Sequence, residues 1–255
     1  YESHRPVPSL PVVEPNEKDM MIGNYISELV EDGSTIQLGI GGIPNAVAKA
    51  LMGKKDLGIH TEMFTDGMVD LYKAGVITNK KKTIHKGKSI TTFALGSQKL
   101  YDFLDDNPAV EFLRGSYTNN PYVLGQNYKM VSINTAIQVD LTGQVCSESL
   151  GHKQFSGTGG QADTAIGAQN SPGGKSIIAL YSTAKNDTIS TIVSMLTPGA
   201  AVSLSRNDVD YIVTEYGVAH LTGREVRQRV NNLISIAHPK FRDEIKKQAD
   251  ELMIW

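Results

Sequence analysis

Ser34-Thr-Ile-Gln-Leu-Gly-Ile-Gly-Gly-Ile-Pro44 decides the fold class. Ser34 to Leu38 reads as a short strand feeding a glycine turn, Gly39-Ile40-Gly41-Gly42. Pro44 falls where the first turn of a helix tolerates proline, and Ala46 to Met52 continues that helix. A strand, a glycine turn and a helix in succession make the repeating unit of a parallel sheet covered by helices.

The same alternation extends in both directions. A helix begins at Asn16, with Met20, Met21, Ile26, Leu29 and Val30 near helical spacing and Gly33 as its stop. Asp56 to His60 is the next strand, and Asp66-Gly67 opens a turn and a helix that ends at Gly75. Ser89 to Leu95 is a strand, followed by a helix over Gln98 to Leu104. Further strands are expected at 110–113, 130–139, 176–181, 200–204 and 211–214, with helices over 224–236 and 242–253. Asn134 to Asp163 carries Gly143, Gly151, Gly157, Gly159 and Gly160 and reads as antiparallel strands with long loops. The expected fold is therefore α/β: a mostly parallel sheet flanked by helices, with an additional antiparallel segment. Residues 1–15 are proline-rich and read as an extended linker. The chain is expected to be the C-terminal part of a larger protein, with its domain over 16–255.

Composition narrows the function classes. The chain has 255 residues, 40% of them hydrophobic and 20% charged, which suits an ordinary globular core. A net charge of −2 argues against a nucleic-acid binder. The run Lys80-Lys81-Lys82 reads as a solvated loop. Cys146 is the single cysteine, so an internal disulfide and a cysteine-rich metal site are both excluded. No apolar run approaches the roughly 18 residues of a membrane span, and the six histidines show no metal-ligand spacing. The expectation is a cytoplasmic protein with neither a membrane nor a nucleic-acid partner.

Chemistry concentrates in three places. Gly58-Ile-His-Thr-Glu-Met-Phe-Thr-Asp-Gly67 hangs one carboxylate, Glu62, off the end of an apolar strand. Gly39 to Gly42 and Phe155-Ser-Gly-Thr-Gly-Gly-Gln161 are glycine turns with free backbone N–H groups, able to act as oxyanion donors or anion nests. A carboxylate between two such turns suits acyl transfer, with the carboxylate as nucleophile. Each feature also has a structural reading. The glycines also read as tight turns or a mobile loop, and Glu62 as a helix cap or a lysine partner. Asp66 competes with Glu62, although Asp66-Gly67 reads more naturally as turn and cap. Glu148 is a reserve carboxylate, and Lys185 either holds an anion or lies in solvent. His60, Ser205-Arg-Asn-Asp208 and Thr214-Glu-Tyr-Gly217 read as structural first.

Taken in order, these segments resemble the acetyl-CoA hydrolase/transferase family, notably its 4-hydroxybutyrate and butyrate CoA-transferase branch. The matches are Gln37 to Pro44, Gly58 to Met63 with Asp66-Gly67, Phe155 to Gln161, Ser205 to Asp208 and Val213 to Gly217. The resemblance implies a CoA-transferase-like domain, the catalytic second half of a longer protein with two similar halves. It makes Glu62 the nucleophile and the N–H near Gly160 the oxyanion donor. It also places Gln37, Leu38, Gly39, Ile40, Gly41, Ile137, Gly160 and Lys185 along the CoA site, and leaves Gln138 without a catalytic role.

The implied reaction is ping-pong transfer of CoA between a short-chain acyl-CoA and a carboxylate of acetate, butyrate or 4-hydroxybutyrate type. It runs through a glutamyl-CoA thioester, with CoA as substrate and no tightly bound cofactor or metal. The implied partners are the N-terminal half and further copies of the chain. An acyl-CoA hydrolase using the same site is the nearest rival, and a noncatalytic acyl-CoA-binding domain is the rival of another class.

Overall fold

The computed structural model describes residues 7–255. Its centre is a six-stranded sheet built from β1 (Thr35–Leu38), β2 (Gly58–Ile59), β3 (Met130–Thr135), β4 (Lys175–Ala179), β5 (Tyr211–Thr214) and β6 (Gly217–His220). The strand order is β6-β5-β4-β3-β1-β2. All neighbours are parallel except the β5–β6 hairpin. In β3 the register sets Ser132 opposite Gln37 on one side and Ser176 on the other.

Helices cover both faces. They are α1 (Glu17–Leu29), α2 (Gly42–Ala50), α3 (Asp66–Lys73), α4 (Gln98–Leu104), α5 (Gln161–Asn170), α6 (Val226–Ile236) and α7 (Arg242–Glu251). Strand side chains alternate between faces with a period of two. Ile177 and Val213 accordingly join Ile22, Ile26, Val47 and Phe64 in one core. Their neighbours Ile178 and Ile212 join Val230, Leu233 and Ile236 in the other.

Several elements differ from the sequence reading, each for a local reason. The run 130–139 breaks after Thr135, and 138–140 joins a separate three-stranded sheet with 145–146 and 192–193. The run 89–95 breaks at Thr92, because the amides of Thr92 and Phe93 both donate to the Glu62 carbonyl. Residues 200–204 form no strand. Their amides at Ser203 and Leu204 converge on the single carbonyl of Val145, so no ladder can grow. Pro44 is the third residue of α2, after Gly42. Gln161–Asn170, left without a helix in the sequence reading, is α5. Lys82 is only 1% exposed rather than solvated. Its ammonium donates to the carbonyls of Ile59 and Lys88, both at 2.8 Å, and burial pulls its pKa down to about 7.

Of the expected linker, residues 1–6 lie outside the described residues. Residues 7–15 have no regular secondary structure but are docked on the domain. Leu10 N donates to Gly96 O at 2.8 Å, and Asn45 and Tyr101 side chains bond the carbonyls of Val13 and Pro8. No helix among the described residues is long and apolar enough to cross a membrane.

Two features generate tests. Gly23 lies within α1 where a Cβ would come 2.8 Å from the carbonyl carbon of Ala46 in α2. Alanine in an open helix gains about 1 kcal/mol over glycine. Here the overlap is with backbone, and displacing a packed helix costs about 1–3 kcal/mol. Gly23→Ala should therefore lower stability in urea titration; a gain in stability would refute this tight α1–α2 contact.

His60 is completely buried, with Nε2 3.0 Å from the Thr118 carbonyl and Nδ1 3.3 Å from Asn127 Nδ2. Desolvation first, then the nearby Lys82 charge, lowers its pKa to about 3. Between pH 6.5 and 3 the unfolded imidazole therefore takes a proton that the folded one refuses, so stability falls with pH. His60 should remove about 2 kcal/mol between pH 7 and 5. Denaturation of His60→Gln at both values should show a loss smaller by that amount.

Candidate functional site

Glu62 occupies the gap between β2 and the short strand Met63–Phe64. Its carbonyl accepts from Thr92 N at 3.0 Å, Phe93 N at 3.1 Å and Thr91 Oγ1 at 3.2 Å. Two successive amides and a hydroxyl on one carbonyl pin the backbone of Glu62. The carboxylate is half-buried at the C-terminal edge of the sheet, where open α/β sheets bind their ligands.

Gly160, 98 residues further on, meets it there. Gly160 is the N-cap of α5, and its N–H donates to Glu62 Oε2 at 3.1 Å. The unsatisfied amides and dipole at a helix N-terminus favour negative charge. Glycine at 160 is required by space, not conformation, since its φ of −78° suits any residue. A Cβ there would sit 2.3 Å from Glu62 Oε2 and 2.5 Å from Asn119 Nδ2. Asp163, in the first turn of α5, has its carboxyl pushed above the usual range by burial and by the charge of Glu62.

A cleft of about 420 Å³ opens over this pair. Glu62 and the β1 end, Gln37 to Ile40, line one side, and Ser156 to Gln161 the other, with Phe93 adding apolar surface. The loop 152–159 is exposed throughout. Its base is tied by the Glu148 carbonyl, which accepts from Phe155 N and Ser156 N at 2.7 and 3.1 Å. Among the described residues no lysine or arginine lines the cleft; its charged groups are two acids, Glu62 and Glu148, beside backbone amides and neutral side chains.

The structure brings together Gln37, Leu38, Gly39, Ile40, Glu62 and Gly160. Gln37 is 5% exposed, and its side chain is engaged by Ser132, Ile133 N and Asn134. Gly41 lies just outside the lining as the N-cap of α2, with φ +114°. Ile137 and Lys185 also lie outside it. Ile137 N donates to Cys146 O. Lys185 is exposed on the turn joining Thr183–Ala184 to Ile189–Ser190. Asp66 accepts from the amide and hydroxyl of Ser97, the N-cap of α4, and is thereby occupied away from the cleft. Gln138 accepts from the amide and hydroxyl of Thr197. Glu215 is buried, accepting from the amide and hydroxyl of Ser182.

Sequence reasoning missed Asn119, Phe93 and the helical nature of α5. Asn119 comes from a four-residue helical turn, Gly115–Thr118, with no periodic signature, and its Oδ1 is buried without a hydrogen-bond partner. The helix α5 did carry a signal: Asp163 in a first turn and Ala162, Ala165, Ile166 and Ala168 at helical spacing.

Comparison with known proteins identifies the family. Residues 96–249 match the model of the acetyl-CoA hydrolase/transferase C-terminal domain. Over 97% of its length the chain is 55% identical to succinyl-CoA:cyclohexane-1-carboxylate CoA transferase of Geobacter metallireducens, covering 57% of that protein. It is 54% identical, again over 97%, to 4-hydroxybutyrate coenzyme A transferase of Clostridium kluyveri, covering 58% of it. The crystal structure of RipA from Yersinia pestis superposes with a TM-score of 0.94 at 41% identity, covering 99% of this chain and 57% of that one. The chain thus spans somewhat over half the length of these relatives, and it belongs to the acetyl-CoA hydrolase/transferase family.

Proposed function

We propose that this chain carries the nucleophile of a CoA-transferase that moves CoA between a short-chain acyl-CoA and a carboxylate, with Glu62 as that nucleophile. The observation that carries the reading is the 3.1 Å bond from Gly160 N–H to Glu62 Oε2 at the mouth of α5. It leaves Oε1 as the attacking atom and assigns Oε2 a fixed donor.

The steps follow from that assignment. Glu62 Oε1 attacks the thioester carbonyl, the C–S bond breaks, and CoA leaves as thiolate, giving an acyl–glutamyl anhydride. The thiolate then attacks Cδ of Glu62. In that adduct Oε2 becomes the oxyanion, and Gly160 N–H already points at it. Collapse breaks the bond from Cδ to the bridging oxygen, releases the first carboxylate and leaves a glutamyl-CoA thioester. An incoming carboxylate attacks the thioester carbonyl of Glu62, and the reverse sequence delivers the new acyl-CoA. A preorganised amide of this kind is worth about 100- to 1,000-fold in rate, because it costs no reorganisation when charge develops.

The CoA thioester end is assigned to the cleft beside Gln37 to Ile40 and Gly157 to Gly160. Its roughly 420 Å³ suits the reacting end of the substrate. The relatives' names give acetate, butyrate, 4-hydroxybutyrate, succinate and cyclohexane-1-carboxylate as acids handled by proteins of this kind.

Intact mass after incubation with butyryl-CoA tests the nucleophile. A CoA-sized adduct that hydroxylamine removes is expected on the native protein and absent from Glu62→Gln; an adduct persisting in that variant would rule Glu62 out. Gly160→Ala keeps an allowed backbone but drives a methyl into the carboxylate. It should form the adduct about 100- to 1,000-fold more slowly, measured by quenched mass spectrometry.

A further inference from the structure

Glu62 and Gly160 lie on elements far apart in the chain, so something must hold α5 against the sheet to within a few tenths of an ångström. Hydrophobic packing alone is poorly suited to this task, because it is non-directional. The sheet face beneath the start of α5 is instead polar. Gln37 of β1 and Asn134 of β3 form a reciprocal amide pair, with Nε2 to Oδ1 at 3.2 Å and Nδ2 to Oε1 at 3.3 Å. Ser132 Oγ lies 3.0 Å from Gln37 Oε1 and 3.0 Å from Thr164 Oγ1 of α5. Asn134 Nδ2 donates to Thr164 Oγ1 at 3.1 Å.

Thr164 is the residue whose amide makes the first helical bond of α5, to Gly160 O at 2.9 Å. Its hydroxyl therefore anchors the turn that aims Gly160 N–H. A second tie, Gln161 Nε2 to Thr135 O at 3.0 Å, acts on the same turn. Thr164 and Ser132 are 1% and 0% exposed, and neither lines the cleft. They have no route to substrate.

We propose that Thr164 and Ser132, with the Gln37–Asn134 amide pair, form a positioning cluster that fixes the Gly160 donor against Glu62. Thr164 and Ser132 touch no substrate and act on the rate through geometry, whereas Gln37 and Asn134 also line the cleft. This rests on the reading of Glu62 as nucleophile for its kinetic consequence, but not for its structural one. Buried polar networks of this kind are directional, and fully satisfied ones specify a single arrangement. Misplacement of a reacting group by about 1 Å costs on the order of 100-fold in rate.

Thr164→Val keeps the shape and removes the hydroxyl, while Thr164→Ser keeps the hydroxyl. The Gly160 amide proton, observed by NMR in the intact protein, should shift in Thr164→Val toward its position in Glu62→Gln, where the charged acceptor is gone. It should stay in place in Thr164→Ser. In steady-state transfer assays kcat should fall roughly 10-fold or more for Thr164→Val, with KM for the acyl-CoA within about twofold and recovery in Thr164→Ser. Ser132→Ala is read in the same way should Thr164→Val not fold.

A wild-type Gly160 signal and unchanged kcat, with only a lower melting temperature, would overturn the proposal and make the cluster merely structural. If Glu62→Gln stays fully active, the nucleophile assignment fails. The Gly160 shift in Thr164→Val still decides whether the cluster positions that amide.

Discussion

The arrangement depends on the parallel pairing of β3 between β1 and β4. That pairing stacks Gln37, Ser132 and Ser176 in register across three strands. It fixes which end of the sheet is carboxyl-terminal and therefore where the ligand crevice lies. It also sets the chemistry of the face beneath α5. Two apolar cores hold the layers together, but the polar stripe decides how the start of α5 is seated.

The site joins two local devices that neither segment could provide alone. The paired amides of Thr92 and Phe93 hold the backbone of Glu62 by its carbonyl. The cap of α5 offers it an amide and a favourable dipole. The carboxylate is held by a neutral donor rather than a cation, since no basic side chain among the described residues lines the cleft. A lysine paired to Glu62 would stabilise the carboxylate and blunt it as a nucleophile, whereas in the proposed mechanism an amide follows the charge onto the tetrahedral oxyanion. Asp163 marks the local field, its carboxyl raised by burial and by its acidic neighbour.

Behind the site, the segment leading to Glu62 is stiffened by buried polar groups. Lys82 bonds the carbonyl of Ile59. Its stem passes over Gly58, where a Cβ would come 2.5 Å from Lys82 Cγ. His60 binds the Thr118 carbonyl one residue before Asn119. The His60 bond joins the segment leading to Glu62 to the Asn119 turn without touching the cleft.

Much of this was legible in the sequence. Strand-turn-helix punctuation located β1, α2, α3, α4 and β5, because glycine and apolar spacing act within a few residues. The glycine turns and Glu62 stood out as chemistry for the same reason: carboxylate and amide are local facts. Tertiary structure alone decided which of them meet. The 98-residue separation of Glu62 and Gly160 is closed by sheet order, which no local pattern encodes. It bonded Asp66 to Ser97 and set Lys82 in the interior, roles fixed by neighbours distant in sequence. It also broke the runs at Thr92 and Thr135, where carbonyl and strand partners outside the segment overrode β-propensity. The sequence determined which chemical groups are on offer, and the long-range hydrogen bonds of the folded sheet selected the pair that meets at the cleft.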